Sequence, residues 1–367
     1  MRVAVVGTRG MPGVHGGIER HVEELCPRLA ALGVEMTVYA RREYVPYDLV
    51  HEGVKVVALP SFGGRYGEAL SHTARAMFHA RRGAYDVLHV HAIGPGILLP
   101  LARLCGFRRT VLTAHARDYE RAKWGRFAKA FLRLSERVGA KFATEMIAVS
   151  EHDAALLRRR YSREVHAIPN GPGKLMHRPP GQLLADLGLQ GEDYVLFVGR
   201  LIPEKCPEDL LAAVTAIPGL HVVFAGDSSF TDDYTRALHA AAGPRTHFPG
   251  YMYGAQLEEL YSSALAFALP SEVEGLSISL LEAMSYGLPV VVSNIPGNVE
   301  ALGDPASGIV YPVRNCVALT SALKRLAGDP SLREQLGQAA KARVHEVFDW
   351  DVIARRTLNV YERAISS

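Results

Sequence analysis

At 367 residues the chain is too long for one ordinary core and suits two domains of common size. Hydrophobic residues make up 48% and charged residues 22%, with no low-complexity tract, which excludes a disordered or fibrous chain. The net charge of +3 conceals an asymmetry: residues 1–170 carry 26 Lys and Arg against 16 Asp and Glu, and residues 171–367 carry 15 against 22. A basic first half favours an anionic partner such as phospholipid headgroups, a lipid pyrophosphate or nucleic acid, or is simply a soluble surface.

Cys26, Cys105, Cys206 and Cys316 form no CxxC pair, so neither a zinc knuckle nor a disulfide framework is indicated and a reducing cytoplasm fits. No charged-then-apolar leader precedes the first strand-like run, and the most apolar later stretch, Ala92–Ala102, is broken by Gly94, Pro95, Gly96 and Pro100 and is too short to span a bilayer. The expected location is therefore cytoplasmic.

The run Met1–Gly7 is β-branched and ends in glycine; a Gly-rich loop, an amphipathic helix over Ile18–Leu32 and a strand over Glu35–Ala40 complete a βαβ start. Strand-like runs follow at Val54–Leu59, Val87–Val90, Thr110–Thr113 and Met146–Val149, separated by helical patterns, so this half predicts a parallel sheet covered by helices. Dense Pro and Gly from Ile168 to Pro180 mark a linker. Alternation restarts with strands at Tyr194–Val198, Val222–Ala225, Ala266–Pro270 and Val290–Ser293 and helices at Pro207–Ala216, Gln256–Ser263 and Ser277–Tyr286. Two helices, Leu332–Val347 and Trp350–Ile365, close the chain. The expected division is an α/β domain over 1–170, a linker over 171–190, a second α/β domain over 191–348 and a C-terminal helix over 349–367 that could pack back on the first domain.

The most informative segment runs from Pro270 to Ser293, a strand end, a loop, a helix and a strand. Glu274 in the loop and Glu282 about two turns into the helix could together span an elongated ligand, at a rise of about 1.5 Å per residue. The N–H groups near Gly275, Leu276 and Ser277 would meet a diphosphate, since a helix N-terminus favours anions. The bland alternative is two solvated glutamates. Upstream, Phe197–Lys205 places Arg200 and Lys205 in a loop after a strand, where two fixed cations could stabilise a departing diphosphate in place of a divalent metal. In the first half, Gly16 and Gly17 open the first long helix and could let backbone approach the phosphate or sugar of a ligand. A nicotinamide site would want GxGxxG and an acid after the second strand; Gly7-Thr8-Arg9-Gly10 and Arg41 argue against it.

The Glu274-x7-Glu282 segment, with its Glu-Gly, Glu-Ala and Gly-Leu-Pro companions, resembles the EX7E motif of family 4 retaining glycosyltransferases, and the likeness extends to Phe197–Lys205 and, toward bacterial polysaccharide and rhamnosyl-type enzymes, to Gly7–Ala40. The resemblance implies a GT-B fold, two Rossmann-like domains with parallel sheets facing a central cleft, and transfer of a hexosyl or rhamnosyl unit with retention from a nucleotide sugar (UDP-, GDP- or dTDP-linked) to a glycan, lipid-linked or small-molecule acceptor. It implies that Glu282 holds the ribose hydroxyls, that Glu274 contacts the donor sugar, and that His115, at the end of the stretch Thr110–His115, meets that sugar or orients the acceptor. Asp227, Gly250 and Tyr251 match loops beside the nucleotide, although Ser228-Ser229 stands where glycine is common. The glycine usual after Lys205 is Cys206, a change expected to alter the loop backbone, and Ala116-Arg117-Asp118 replaces the glycine usual after the histidine. Two rival classes are a nucleotide-sugar 2-epimerase of the same fold and a non-catalytic nucleotide-sugar-binding protein.

Asp118 is a candidate acceptor-side base. His89 and His91 share a strand face at metal-compatible spacing but show no third ligand, so they read as structural or acceptor-lining; no metal and no cofactor are expected. Asp349-Trp350-Asp351 reads as an ordinary helix start. From Arg121 to Lys141, seven cations accompany Trp124, Phe127, Phe131, Leu134 and Val138 at helical spacing. That stretch would suit peripheral binding to an anionic membrane, or a core-packed helix with a solvated basic side. Nucleic acid is not an expected partner, since no aromatic reading motif accompanies the basic charge.

Overall fold

The computed structural model describes residues 1–120, 124–174, 176–191, 193–228, 232–303 and 307–367. The chain divides into two compact units, Met1–Gly171 together with Trp350–Ser367, and Pro172–Asp349.

The first unit holds strands β1 (Arg2–Val6), β2 (Glu35–Arg41), β3 (Leu49–His51), β4 (Val54–Leu59), β5 (Val87–His91), β6 (Thr110–Ala114), β7 (Glu145–Ala148) and β8 (His166–Ala167). They form one sheet in the order β3-β4-β2-β1-β5-β6-β7-β8, parallel except for the β3–β4 pair. Its helices are α1 (Gly17–Ala31), α2 (Gly64–Ala80), α3 (Leu99–Leu104), α4 (Arg126–Phe142) and α5 (Glu151–Tyr161). Strand residues alternate between two cores. Val3 and Val5 face Val22, Leu25 and Leu29 of α1, whereas Ala4 and Val6 face Met77 of α2, Leu99 of α3 and Leu157 of α5. Burial on both sides explains why β1 reads as an unbroken apolar run.

The second unit holds β9 (Tyr194–Val198), β10 (His221–Ala225), β11 (Thr246–Gly250), β12 (Ala266–Leu269), β13 (Val290–Ser293) and β14 (Ile309–Tyr311), a wholly parallel sheet in the order β11-β10-β9-β12-β13-β14. Around it lie α6 (Gln182–Leu187), α7 (Pro207–Thr215), α8 (Asp232–Ala240), α9 (Gly254–Ser263), α10 (Ile278–Ser285), α11 (Pro296–Leu302), α12 (Cys316–Gly328) and α13 (Pro330–Val347). The stretch 171–190, read above as a linker, carries α6, which is tied down by the Glu259 carboxylate accepting from the N–H groups of Gly181 and Leu184 at 2.8 and 3.0 Å.

The last helix, α14 (Trp350–Ser366), packs against α1 and adds Trp350, Ile353, Val360 and Tyr361 to the core of the first unit. The Tyr361 hydroxyl hydrogen-bonds Nδ1 of the buried His89 at 2.7 Å. Both tryptophans, Trp124 and Trp350, belong to this unit, so tryptophan fluorescence reports on it alone. In urea unfolding followed by that fluorescence, Tyr361→Phe should lower stability by about 1–3 kcal/mol, because it strips a buried ring nitrogen of its partner; unchanged stability would show the bond to be dispensable.

Candidate active site

In open parallel sheets, ligands meet the loops beyond the carboxyl ends of the strands. In the second unit β9 pairs with β12 and with β10, so the loops that follow these strands run side by side. The loop after β9 contains Arg200 and a short 3-10 turn, Pro203–Lys205. The loop after β12 contains Ser271, Glu274, Gly275 and Leu276 and passes through Ser277 into α10. Lys205 and Glu274, 69 positions apart, meet as an ion pair, and Ser271 donates to the same carboxylate oxygen at 2.8 Å.

Gly275, Leu276 and Ser277 are buried at the start of α10, and Ser277 occupies the N-cap without a side-chain bond to the helix backbone. Glycine is demanded where α11 crosses this loop: a Cβ on Gly297 would lie 1.8 Å from the carbonyl oxygen of Gly275. Glu282, on α10, is buried and accepts from the Tyr261 hydroxyl at 3.0 Å. On the other flank the Asp227 carbonyl accepts from the N–H of Leu201 at 3.3 Å and from the Tyr251 hydroxyl at 2.8 Å, next to Gly250 at the end of β11. The structure thus joins Arg200, Asp227, Gly250 and Tyr251 along one edge and Lys205, Glu274 and the start of α10 along the adjoining edge. Ser229 lies outside the described residues.

Cys206 does not unwind the loop. It adopts the left-handed conformation, φ 51° and ψ 42°, that glycine takes readily, and it is fully buried. A non-glycine residue there costs about 1–2 kcal/mol. Burial also pushes the thiol pKa up.

Arg314, which carries no motif, was not legible as part of this region. It pairs with Glu208 at 2.5 Å, Glu272 at 2.7 Å and Asp209 at 3.3 Å, and so ties the first turn of α7 to the loop that bears Glu274.

In the first unit, Gly16 caps α1 with φ 138° and both Gly16 and Gly17 are exposed. The loop before them is gathered by Glu19, which accepts from the Arg9 N–H at 3.0 Å and the Thr8 hydroxyl at 3.2 Å. Strands β5 and β6 pair, which sets His91 beside His115 with His91 Nδ1 and His115 Nε2 2.9 Å apart. His21 of α1, part of no recognisable motif, completes the cluster and hydrogen-bonds Asn170 through Nδ1 at 2.8 Å. His89 stacks beside His91 and is held by Thr113 and Tyr361, each at 2.7 Å. Asp118 lies just beyond, in a 3-10 turn over Asp118–Glu120.

His89, with both ring nitrogens engaged, does not join His91 in a ligand set; the nitrogens that gather are those of His21, His91 and His115, which lie within 4.8 Å of one another. The His91 and His115 nitrogens, however, face each other at hydrogen-bond distance, so a cation there would have to displace that bond. Burial holds all four imidazoles neutral, pushing His21 down to about 4 and His89 to about 3, with His91 and His115 also well below the ordinary range.

The family description "Glycosyltransferase Family 4" matches residues 15–171, and "Glycosyl transferases group 1" matches residues 184–343. D-inositol 3-phosphate glycosyltransferase of Salinispora arenicola is 30% identical over 418 residues, covering 100% of this chain and 92% of that one. The chain belongs to the family 4 glycosyltransferases of the GT-B fold. Solved structures agree on the fold of this glycosyltransferase. Sucrose-phosphate synthase from Thermosynechococcus elongatus superposes with a TM-score of 0.88 at 24% identity, covering 100% of this chain and 99% of that one. Anabaena HepE in complex with UDP-glucose gives 0.79 at 19%, covering 99% of each chain.

The buried histidines make a pH prediction for the glycosyltransferase. Unfolding returns them to a pKa near 6.5, whereas His21 stays neutral in the folded state down to about 4, so between these values the unfolded chain binds more protons. Stability is full above about pH 6.5 and is lost as pH falls through that window, by about 1 kcal/mol per pH unit for each such histidine. Urea unfolding followed by tryptophan fluorescence should show a less stable first unit at pH 5 than at pH 7, and equal stability would contradict neutral burial.

Proposed function

We propose that the glycosyltransferase is a retaining enzyme, which moves a hexosyl or rhamnosyl unit from a UDP-, GDP- or dTDP-sugar to a glycan, lipid-linked or small-molecule acceptor in bacterial cell-surface polysaccharide synthesis. The observation that carries this reading is the meeting of Lys205 with Glu274 at the start of α10. A donor diphosphate would lie against the N–H groups of Gly275, Leu276 and Ser277, with Arg200 and Lys205 as fixed cations that need no divalent metal. Glu282, already oriented by Tyr261, would hold the ribose, Glu274 the sugar ring, and Asp227, Gly250 and Tyr251 the base. Gly16 and Gly17 would admit backbone to the donor, His115 would meet the sugar or orient the acceptor, and Asp118 would lie on the acceptor side, where the wholly buried His91 would act only through His115. The bond from the anomeric carbon to the diphosphate oxygen breaks as the acceptor oxygen bonds the same face, and the leaving diphosphate takes the acceptor proton. The UDP-glucose bound by HepE supports a nucleotide-sugar donor.

Glu282→Ala should chiefly weaken nucleotide binding, whereas Arg200→Ala and Lys205→Ala should lower turnover by about 10²-fold or more, the size seen when one preorganised transition-state contact is removed. Melting curves with UDP, GDP, dTDP and ADP identify the donor base, since a ligand that binds the native state raises the melting temperature. Near-normal rates in all three variants would refute these roles. An epimer formed from a nucleotide sugar without acceptor would favour the isomerase class instead.

We further propose that α4 rests on an anionic membrane at its cytoplasmic face. Leu132, Ser135, Glu136, Gly139 and Ala140 face the core, while Phe127 is 93% exposed, Leu134 52% and Phe131 39%, flanked by Arg126, Arg133, Arg137 and Lys141. The aromatic stripe expected from the sequence is thus separate from the core-facing one. Arg121 and Lys123 lie outside the described residues, and among those described no helix is long and apolar enough to cross a bilayer. Cosedimentation with phosphatidylglycerol vesicles at low salt should be strong and should fall in Phe127→Ser/Phe131→Ser; no binding would remove this part of the reading.

A further inference from the structure

His91 makes a single hydrogen bond through its ring, and the choice of proton in that bond fixes what His115 can offer a ligand. His91 is wholly buried, and its Nε2 has no partner among the described residues, whereas Nδ1 lies 2.9 Å from Nε2 of His115. A neutral imidazole carries one proton, on one nitrogen or the other. If His115 donated, the proton of His91 would have to sit on Nε2 and become a buried N–H with nothing to accept it. If His91 donates, only a lone pair is left unmet. A buried unmet donor is the rarer and more costly of the two, so the second arrangement should dominate by roughly tenfold or more.

The rest of the cluster holds this geometry in place. His89 lies against His91, with ring centroids 4.1 Å apart, and is itself fixed at both nitrogens by Thr113 and Tyr361. The His21 ring stands edge-on to His115 at 4.8 Å, with Nδ1 engaged by Asn170. Of the four histidines, His115 alone is partly exposed. Its Nε2 being taken, Nδ1 is the polar atom it has left for a ligand.

We propose that His91 is a positioning residue: by donating to Nε2 of His115 it locks His115 in the Nδ1–H form, which presents a hydrogen-bond donor to a substrate hydroxyl or other oxygen acceptor. The substrate contact rests on the reading of His115 given above; the proton arrangement does not. His115 then serves as a donor only, and favours a substrate oxygen with a free lone pair over an N–H or ammonium group.

Long-range ¹H–¹⁵N spectra of the ligand-free full chain with ¹⁵N-labelled histidine, at pH 7, read the tautomer directly. The His115 signals are assigned by their loss in His115→Gln. We expect His115 protonated on Nδ1 and bare on Nε2. His91→Asn, whose side-chain amide can donate from near the same place, should keep that pattern, while His91→Leu should shift His115 to the Nε2–H form or a mixture. A wild-type His115 protonated on Nε2 overturns the proposal without any variant, as does an unchanged pattern in a folded His91→Leu. Addition of UDP-glucose separates the two readings: His115 signals that stay fixed while nucleotide binds would count against the sugar contact and leave the tautomer assignment standing.

Discussion

Parallel pairing of neighbouring strands sets where chemistry can occur in both units, because it lines up the carboxyl ends of strands that are remote in sequence. Pairing of β9 with β12 brings Lys205 to Glu274, and pairing of β5 with β6 brings His91 to His115. An antiparallel pairing would send the two loops to opposite edges. The crossover helices that parallel strands require also bury both sheet faces, leaving the loops beyond the strand ends as the natural place for a polar site. The polar residues gathered there are accordingly held by backbone and by one another: Ser271 with Glu274, Tyr261 with Glu282, Tyr251 with Asp227.

The two candidate regions, one in each unit, hold their polar groups differently. In the second, opposite charges meet: Arg314 is enclosed by Glu208, Asp209 and Glu272, and Lys205 by Glu274. An arriving anionic ligand can exchange one partner of such a pair for another. In the first, four histidines cluster with no carboxylate among their hydrogen-bond partners in the described residues, and burial keeps them uncharged. A neutral ring offers one N–H to donate and one lone pair to accept with, and brings no charge of its own to the site.

Much of this was readable in the sequence wherever short-range pattern carries the information. Apolar runs ending in glycine gave the strands, and α1 runs Gly17–Ala31 where periodicity placed Ile18–Leu32. Glu274, Gly275 and Glu282 stand out because loop, helix start and helix face are contiguous in the chain. What depends on long-range packing was opaque. The three-residue strand β3, antiparallel at the sheet edge, has too little pattern to detect, and Gln182–Leu187 folds as a helix because Glu259, some 75 positions away, caps its start. His21 looked like one residue of an amphipathic helix, and Arg314 like any surface cation; both acquire meaning only from partners brought in by the fold. The aromatic stripe of α4 was visible, but not that a second set of small residues, Ser135, Gly139 and Ala140, would take the core-facing side.

The chain leaves the first unit at Gly171 and re-enters it at Trp350. During synthesis, the sheet of the first unit is therefore available long before the helix that seals one of its faces. Until residues 350–366 emerge, the apolar surface later covered by Trp350, Ile353 and Tyr361 stays open while the intervening unit is translated, a wait of roughly ten seconds or more at about 5–20 residues per second. The nascent chain is thus exposed to aggregation for that interval. Once closed, the first unit is stapled from both of its ends, so a protease cut in the second unit would leave two fragments still held together by α14.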